Sequence, residues 1–467
     1  MGILKRKVIN MALLTKKSRR LIKRRLKVLK FRINRIRKVI RNANKIKRNK
    51  IILLKFKAKK SRARYNKRYT EDERKNILCM VVLAMIGLGL AVNISLRSHA
   101  IRMEDYSTKL PESTILESRV LFAGDVYWGR NLNKWAQETS LKEAYPFRHL
   151  GEFKKDSYDA WVANLECPSV PGVQASIKDE KEKLIFNCPV SYLSEASKWF
   201  NVFSLANNHT NNYKDEEGLL ATRKALDDYA IQYFGHFDPS ISTDACEVIA
   251  IPARVRLDDT QKEVKIPVAM CGFAGVNYKI KDKDLEPIKL YAKYMPVIVM
   301  PHMGVEYSSV VDAERQALYH KMIDYGADIV LGNHPHWVQP TEVYKGKLIA
   351  YSMGNFIFDQ QFSEEVTRSA AISLTMSIDQ SPETETMLQS WVSLGERCAS
   401  FHDDCFDQIK TSNLGLLPFK FKFSVIGVQT SNKTTKPSNQ RTYNMILERL
   451  RWNQTQNELS ASNYTVN

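Results

Sequence analysis

The sequence predicts a layered α/β domain that follows a basic arm and a membrane anchor. Apolar runs that read as strands alternate with helical patterns, and the runs end in residue types that bind metals. An uncharged stretch of 21 residues after a strongly basic segment predicts the anchor. We therefore expect a basic arm, an anchor, a stalk, the α/β domain and a C-terminal extension, at residues 1–75, 76–96, 97–117, 118–380 and 381–467.

The N-terminal arm concentrates the positive charge of the chain. Residues 1–75 contain 31 Lys or Arg and three acidic residues, a net +28, whereas the whole chain carries +21. The remainder carries 21 − 28 = −7, so the basic balance does not describe the α/β domain. An apolar stripe from Ile22 to Ala43 favours a helix that lies on an anionic membrane surface. A solvated topogenic tail is the alternative. Nucleic acid is a weaker one, because few aromatic residues interleave the charges.

Residues 76–96 predict a single membrane-spanning anchor. About 20 apolar residues cross a hydrocarbon core of roughly 30 Å. The positive-inside rule then places the N-terminus in the cytoplasm and everything after Arg97 outside the cytoplasmic membrane. A cleaved signal peptide is disfavoured because the basic segment before the apolar stretch is too long. A buried core helix is the other alternative, which the steep charge step disfavours.

Cysteine usage agrees with export. Cys79 lies in the predicted anchor, and six cysteines follow it: Cys167, Cys188, Cys246, Cys271, Cys398 and Cys405. An even number permits three disulfides in an oxidising compartment, in any of 15 pairings. Six free buried thiols are the alternative. Cys398 and Cys405 are near enough in sequence to close a small loop.

Six apolar runs of the α/β domain stop at polar residues that suit a metal site. Short continuous apolar runs are typical of strands buried on both faces, and ligands collect where such strands end. Carboxylates, an amide and imidazoles gathered there suit divalent cations of borderline hardness. The runs and the residues that follow them are 120–123 with Asp125, 160–163 with Glu166, 202–206 with Asn208 and His209, 297–300 with His302, 327–331 with His334 and His336, and 348–351 with Asn355.

Weaker signals describe the rest of the domain. Residues 191–200 and 313–325 have helical patterns, and Gly326 is a suitable C-terminal cap for the second. Residues 419–428 alternate apolar and polar side chains and predict an edge strand. The last 40 residues are rich in Asn, Thr and Ser, so we expect them to be loosely held.

Taken together, the runs and their ends resemble the CapA family of capsule-synthesis proteins, the poly-γ-glutamate group with a metallophosphoesterase-like domain. The resemblance covers roughly 240 residues and implies a four-layer αββα sandwich with a dinuclear metal site across the strand ends. The matching stretches occur in the family's order and are LFAGDVYWGR (121–130), ANLE (163–166), SLANNHT (204–210), PHMGVEY (301–307), YGADIVLGNHPHWVQPTEVY (325–344) and IAYSMGNFIFD (349–359).

The resemblance also implies roles for single residues. His209 is the neighbouring acid or phosphate-contacting imidazole, Asp125 takes part in catalysis as a metal-bound carboxylate, and Arg130 grips an anionic substrate. Glu166 is the bridging carboxylate. Two divalent ions, of manganese, iron or zinc, are expected on the implied ligands Asp125, Glu166, Asn208, His302, His334 and His336.

Two positions depart from the family pattern. Many phosphoesterases place a histidine two residues after the first aspartate, and here that position is Tyr127. The family usually has an acidic residue shortly after the histidine that corresponds to His209, whereas this chain has Asn211-Asn212-Tyr213. If that acid orients His209, an amide in its place weakens proton transfer.

The leading functional hypothesis is a membrane-anchored protein of capsule or exopolymer biosynthesis, of the poly-γ-glutamate type. Its expected partners are an anionic polymer or its carrier, the cytoplasmic membrane and subunits of a capsule synthase. A stand-alone metal-dependent phosphoesterase and a non-catalytic polymer-binding scaffold are the alternatives. Turnover of a generic phosphodiester that stops with a chelator would favour the phosphoesterase.

The charge step at the predicted anchor yields a topology prediction. A reporter that works only outside the cytoplasm, fused after residue 100, is expected to be active in cells. A second reporter that works only in the cytoplasm, fused at the same position, is the control and is expected to be silent. Activity of the cytoplasmic reporter would contradict export of the domain.

Overall fold

The computed structural model describes residues 109–241, 243–257, 260–400, 404–412 and 414–462. The predicted arm, the anchor and most of the stalk lie outside these residues. No helix within the described ranges is long and apolar enough to cross a membrane.

The described residues form a mixed α/β fold, as the sequence predicts. The six apolar runs all form strands, which are β1, β2, β3, β7, β8 and β10 of the following set. The strands are β1 (Thr114–Val126), β2 (Ala160–Leu165), β3 (Val202–Ser204), β4 (Gln232–Phe234), β5 (Cys246–Leu257), β6 (Thr260–Ala274), β7 (Val297–His302), β8 (Ile329–Leu331), β9 (Thr341–Tyr344), β10 (Lys347–Ala350), β11 (Asn355–Ile357), β12 (Arg368–Asp379), β13 (Lys420–Ser431) and β14 (Thr434–Pro437).

Ten α-helices lie among these strands in the described part of the chain. They are α1 (Arg130–Gln137), α2 (Ile177–Glu182), α3 (Leu193–Ala196), α4 (Asp215–Asp227), α5 (Glu286–Tyr291), α6 (Ala313–Asp324), α7 (Pro382–Ser400), α8 (Cys405–Ser412), α9 (Gln440–Leu450) and α10 (Trp452–Ser462). Helix α6 confirms its predicted pattern. The Asp312 side chain caps it by accepting the Arg315 N–H at 2.8 Å, and Gly326 follows its end with a φ of 114°. The pattern at 191–200 forms only the short α3 and the 3-10 turn before it.

The described strands share one hydrogen-bonded network that branches at β1. The main path runs β14-β13-β12-β1-β5-β6-β7-β8-β10-β9, while β2, β3, β4 and β11 branch from β1. Strand β1 is 13 residues long, so its first half pairs with β12 and β5 and its last residues pair with β2 and β11. Strands β1 to β4 run parallel, and so do β6, β7, β8 and β10. The network thus contains two parallel segments, one made of β1 to β4 and the other of β6, β7, β8 and β10.

Alternate side chains of β1 enter two separate hydrophobic cores. Val120 and Phe122 pack in a core with β5 to β8, α6 and α7. Leu121 and Ala123 pack in a second core with α1, α3 and α4. A strand that alternates between two cores is buried on both faces, which explains the continuous apolar run that the sequence shows.

The three disulfides that the cysteine count permits are formed. Cys167 pairs with Cys188, Cys246 with Cys271, and Cys398 with Cys405. The Cys398–Cys405 pair is the small loop suggested by sequence proximity, and it joins the end of α7 to the start of α8. The Cys246–Cys271 pair joins neighbouring strands β5 and β6, where the two residues are opposite each other in the register.

The structure corrects three expectations from the sequence. Strand β1 begins at Thr114, so the last residues of the predicted stalk belong to the domain. The predicted edge strand is β13, but it lies between β12 and β14. The last 40 residues are not loosely held as far as Ser462, because β14, α9 and α10 are ordered there and the buried Leu450 and Trp452 join the first core. The prediction from polar composition was wrong because an amphipathic helix needs few apolar residues to pack against a core.

The end of β1 approaches another backbone too closely for a side chain. A Cβ on Gly124 would lie 1.8 Å from the carbonyl oxygen of Gly354, whose φ is +75°. The next residue, Asp125, donates its N–H to that same oxygen at 3.1 Å. Glycine at 124 is therefore required for β1 and β11 to pair at this point.

This close approach gives a stability prediction. Gly124→Ala is expected to lower the free energy of unfolding by about 1–3 kcal/mol or more, because the backbone of Gly354 must move. Gly151→Ala is the control, since its Cβ would meet only Trp199 Cη2 at 3.9 Å. Urea titrations of both variants measure the difference, and equal midpoints would contradict the reason given for Gly124.

Candidate metal centre

The carboxyl ends of the two parallel segments converge on one site. Asp125 is near the end of β1, and Glu166 follows β2 directly. On the other segment His302 ends β7, and it forms a parallel bridge with Asn333 in the turn after β8. That turn carries both His334 and His336 close to Asp125, whose Oδ2 lies 3.4 Å from His336 Nδ1. Residues from distant parts of the chain therefore meet where strands end.

Two groups of potential metal ligands share one carboxylate. Asp125, Glu166 and His336 form one group, and Glu166, His302 and His334 form the other. Within each group the ligand atoms all lie within 4.8 Å of one another, and all five residues are buried. These five belong to the set of ligands predicted from the sequence, with Glu166 in the shared position predicted for it.

No group in the described part of the chain donates a hydrogen bond to the shared carboxylate of Glu166. Both of its oxygens are buried and unpartnered, and burial, together with the neighbouring Asp125, raises the pKa of Glu166 well above its usual range. Three imidazoles face Oε1 beyond hydrogen-bond distance: His302 Nε2 at 3.7 Å, His336 Nε2 at 3.7 Å and His209 Nε2 at 3.9 Å. An uncompensated buried carboxylate is costly. A cation between Glu166 and these imidazoles would compensate it, so the residues present fit a metal.

The hydrogen bond of His336 Nδ1 leaves its Nε2 facing Glu166 Oε1 at 3.7 Å, where a bound cation would displace the Nε2 proton. The amide nitrogen of Asn355 donates to Gln360 Oε1 at 3.0 Å, so Asn355 Oδ1 is the atom that faces His336 Nδ1 at 2.8 Å. The Nδ1–H is therefore the donor, the arrangement common in metal-binding histidines. Burial lowers the pKa of His336, but Glu166 and Asp125 outweigh that effect and raise it to about 9.

The other two imidazoles are held neutral. Burial, reinforced by the neighbouring histidines, lowers the pKa values of His302 and His334 well below the usual range. His302 Nε2 lies 3.2 Å from His334 Nδ1 and 2.8 Å from Asn208 Oδ1. Asn208 is thus placed beside the second ligand group, as the sequence predicts. Neutral nitrogens and an amide oxygen bind a cation without adding charge.

The turn that carries two of the histidines is conformationally strained. His334 has a φ of 93° and His336 a φ of 57°, both in a region that residues with a Cβ rarely adopt. Such conformations cost about 1–3 kcal/mol each and are concentrated at functional sites. The strain supports a role for this turn beyond connecting strands.

Asn164 contacts a residue of each ligand group. The sequence did not predict it as a site residue. Its Nδ2 donates to Asp125 Oδ1 at 2.9 Å and lies 3.1 Å from His302 Nδ1, while its Oδ1 accepts from Asn207 Nδ2 at 3.1 Å. Asn207 in turn accepts the backbone N–H groups of His209 and Thr210. Asn164 therefore orients ligands and is not one itself. Its position near the end of β2, two residues before Glu166, is the sequence feature that could have indicated this role.

His209 lies beside the ligand groups and points one nitrogen at them. Asn212 Oδ1 accepts the Phe186 N–H at 2.7 Å, which identifies that atom as oxygen, so His209 Nδ1 must donate to it across 3.0 Å. The Nε2 lone pair then faces Glu166. Burial lowers the pKa of His209 to about 4. The amide of Asn212 thus orients the ring without an acidic residue.

Arg130 is engaged inside the protein. Its guanidinium pairs with Asp359 through two hydrogen bonds, of which Nε to Oδ2 is 2.9 Å, and both side chains are nearly buried. Burial lowers the pKa of Arg130, but Asp359 outweighs that effect and raises it. The resemblance implied that the Arg130 guanidinium grips a substrate, but in this arrangement Asp359 occupies it. Asp359 is the last residue of the motif at 349–359, and that motif was the sequence signal for the Arg130–Asp359 pair.

Tyr127 replaces the expected histidine with a contact that points away from the ligands. Its hydroxyl donates to the buried Glu180 Oε1 at 2.6 Å, and its ring stacks on Phe186 at 4.6 Å between centroids. The first ligand group consequently has one imidazole, His336, and two carboxylates.

The fold and the site define an α/β protein with a candidate metal centre at the meeting point of its strand ends. Residues 119–360 match the family described as "Bacterial capsule synthesis protein PGA_cap", and the chain belongs to this family of CapA-type capsule-synthesis proteins.

Two curated relatives have related names. "Capsule biosynthesis protein CapA" of Bacillus anthracis is 30% identical over 261 residues, which is 53% of this chain and 61% of that protein. "PGA biosynthesis protein CapA" of Bacillus subtilis (strain 168) is 28% identical over 273 residues, 54% of this chain and 65% of that protein. The matches span less than two thirds of either relative. A crystal structure of the Thermus thermophilus protein TT1561 aligns with 55% of this chain and 94% of its own, at 10% identity and a TM-score of 0.30, too low to support an argument.

Removing the charge of the shared carboxylate is expected to abolish metal binding. Glu166→Gln leaves two cations without the charge between them, so the purified protein should retain less than one ion per chain at a metal concentration that loads the wild type. Glu383→Gln, an exposed change in the first turn of α7 and outside both ligand groups, is the control and should retain wild-type metal. Elemental analysis measures both. Near-stoichiometric metal in Glu166→Gln would show that the residue does not bridge.

Proposed function

We propose that this chain is a membrane-anchored protein of capsule or exopolymer biosynthesis that uses a dinuclear, hydrolase-like metal centre outside the cytoplasmic membrane. The polymer is of the poly-γ-glutamate type, and the substrate is this anionic polymer or its carrier. Membership of the capsule-synthesis family supports the biological role. The observation that supports the metal centre is the buried, donor-free carboxylate of Glu166 between two ligand groups.

The two ligand groups correspond to two proposed cation positions. Asp125 and His336 would hold one ion, His302, His334 and the Asn208 amide would hold the other, and Glu166 is the carboxylate shared by the two groups. Manganese, iron and zinc all suit this mixture of carboxylate, amide and imidazole ligands. A pair of such ions supplies an activated water and a positive clamp for an anionic group. Asn164 holds Asp125 and His302 in register with each other.

His209 is the proton-transfer residue of this proposal. Its Nδ1 is fixed by Asn212, and its Nε2 faces the shared carboxylate at 3.9 Å. A reacting group bound there would lie within reach of one imidazole nitrogen of fixed orientation, which general acid–base catalysis requires. Because Arg130 is paired with Asp359, the charge that attracts an anionic substrate comes from the two ions. Arg130 instead holds the segment after β1.

The proposed fold in finer terms is a four-layer sandwich. The branch at β1 lets β2, β3 and β4 lie in one layer and β5 to β10 in another, and Val162 of β2 shares the first core with residues of β5 to β8. Helices of the second core cover the outer face of the first layer, and α5, α6 and α7 cover the other. This arrangement directs both parallel segments to one side.

Export is proposed from charge and from disulfides. The basic arm and the uncharged residues 76–96 predict a signal anchor, and these residues lie outside the described ranges. Three disulfides among the described cysteines favour an oxidising compartment. Anionic lipids and subunits of a capsule synthase are the proposed partners of the arm and the domain.

A substitution at His209 separates catalysis from scaffolding. His209→Gln keeps a polar side chain of similar size, so metal content should stay at the wild-type value while polymer output in cells falls by about 10²–10⁴-fold, the usual contribution of general acid–base catalysis. His149→Gln, at an exposed histidine away from the centre, is the control. Polymer is measured per amount of membrane protein. Undiminished output from His209→Gln would reject catalysis by this residue and favour the scaffold.

A further inference from the structure

Residues 167–188 form a loop that a disulfide closes beside the candidate metal centre. Cys167 directly follows Glu166, and its bond to Cys188 spans 21 positions. At the closed end, the Cys188 N–H donates to the Pro168 carbonyl at 2.8 Å, and the Trp128 N–H contacts Cys188 Sγ at 3.4 Å. The bond therefore fixes both ends of the loop next to the shared carboxylate and the end of β1.

One side chain of this loop forms a wall of the centre. The ring of Phe186 lies between two others, stacked on His209 at 4.0 Å and on Tyr127 at 4.6 Å between centroids. Its backbone N–H donates to Asn212 Oδ1, the same oxygen that accepts from His209 Nδ1. Phe186 thus fixes both the plane of the His209 ring and the orientation of its hydrogen-bond partner.

A second contact of the loop reaches the segment after β1. Buried Glu180 accepts the Tyr127 hydroxyl at 2.6 Å and the Arg130 N–H at 2.9 Å. The guanidinium of Arg130 lies 5.1 Å from the centre of the Phe186 ring. Tyr127 and Asn212, the two positions that depart from the family pattern, therefore both contact this one loop.

We infer that the disulfide-closed loop positions the metal centre: the Cys167–Cys188 bond restrains Glu166, and Phe186 is a positioning residue for His209. This inference rests on the proposed function, in which Glu166 bridges and His209 transfers a proton. Formation of the bond removes two electrons and two protons from the two thiols, which a protein disulfide oxidant accepts. The wall of the centre is consequently complete only in protein that has been oxidised.

The first test opens the loop and leaves a remote disulfide as control. Cys167→Ser/Cys188→Ser is compared with Cys398→Ser/Cys405→Ser, which opens the bond between α7 and α8. Serine avoids free thiols that would bind the probe. In the full-length protein in detergent, Zn²⁺ affinity should fall about 10–100-fold in the first variant, the usual cost of losing support for a metal ligand. The control should stay within about twofold.

The second test keeps the disulfide and removes the ring. Phe186→Leu is compared with Phe406→Leu, whose ring stacks on Tyr291 at 3.9 Å in another part of the domain. Hydrogen exchange of the backbone amides of residues 207–213 should become about tenfold faster in Phe186→Leu, because the support of the His209 turn is lost. Phe406→Leu should leave that segment unchanged, even though its own surroundings loosen.

The two readouts separate the inference from the proposed function. If wild-type protein binds no Zn²⁺, the proposed metal centre fails, while exchange at residues 207–213 still decides whether the loop positions His209. Unchanged exchange there in Phe186→Leu overturns the role of Phe186. Unchanged Zn²⁺ affinity in folded Cys167→Ser/Cys188→Ser overturns the role of the bond. If that double variant does not fold, the exchange result of Phe186→Leu decides the inference.

Discussion

The buried carboxylate of Glu166 is the constraint on which the rest of the site depends. A charge without donors is expensive inside a protein, and the groups within 4 Å of Oε1 in the described residues include three imidazoles at 3.7–3.9 Å. The same buried surroundings set the pKa values of the imidazoles. The pKa of His336 is raised to about 9 by the nearby carboxylates, whereas those of His302 and His334 are lowered by burial. Two carboxylates and three imidazoles gathered in one buried place fit cations.

The long strand β1 makes the convergence possible. Its first half belongs to an antiparallel network, and its last residues start a parallel one, so strand ends from separate parts of the chain reach one place. Close backbone contact at Gly124 brings β11, with Asn355, beside Asp125. Asn355 then sets the orientation of His336. The strained turn of His334 is tolerated because its surroundings hold it firmly.

Internal pairs occupy the groups that would otherwise face a substrate. Arg130 is bound to Asp359 and Tyr127 to Glu180, so neither is free in this arrangement. Both pairs stiffen the segment after β1, and the disulfide-closed loop completes that support through Phe186. In the proposed function, attraction for an anionic polymer would therefore come from the metals, while the protein contributes orientation. A rigid support of this kind is what precise ligand placement needs.

The sequence by itself determined the mixed α/β class, the six strands that carry the site, and five candidate metal ligands whose signal is local: an apolar run followed by Asp125, Glu166, His302, His334 or His336. It did not show the role of Asn164, the engagement of Arg130 by Asp359, the pairing of the other four cysteines of the domain, or the ordered helices up to Ser462. Those depend on contacts between residues far apart in the chain, such as 130 and 359, which no local pattern encodes. Burial and hydrogen-bond partners are properties of the tertiary structure, because they arise only when the strand ends meet.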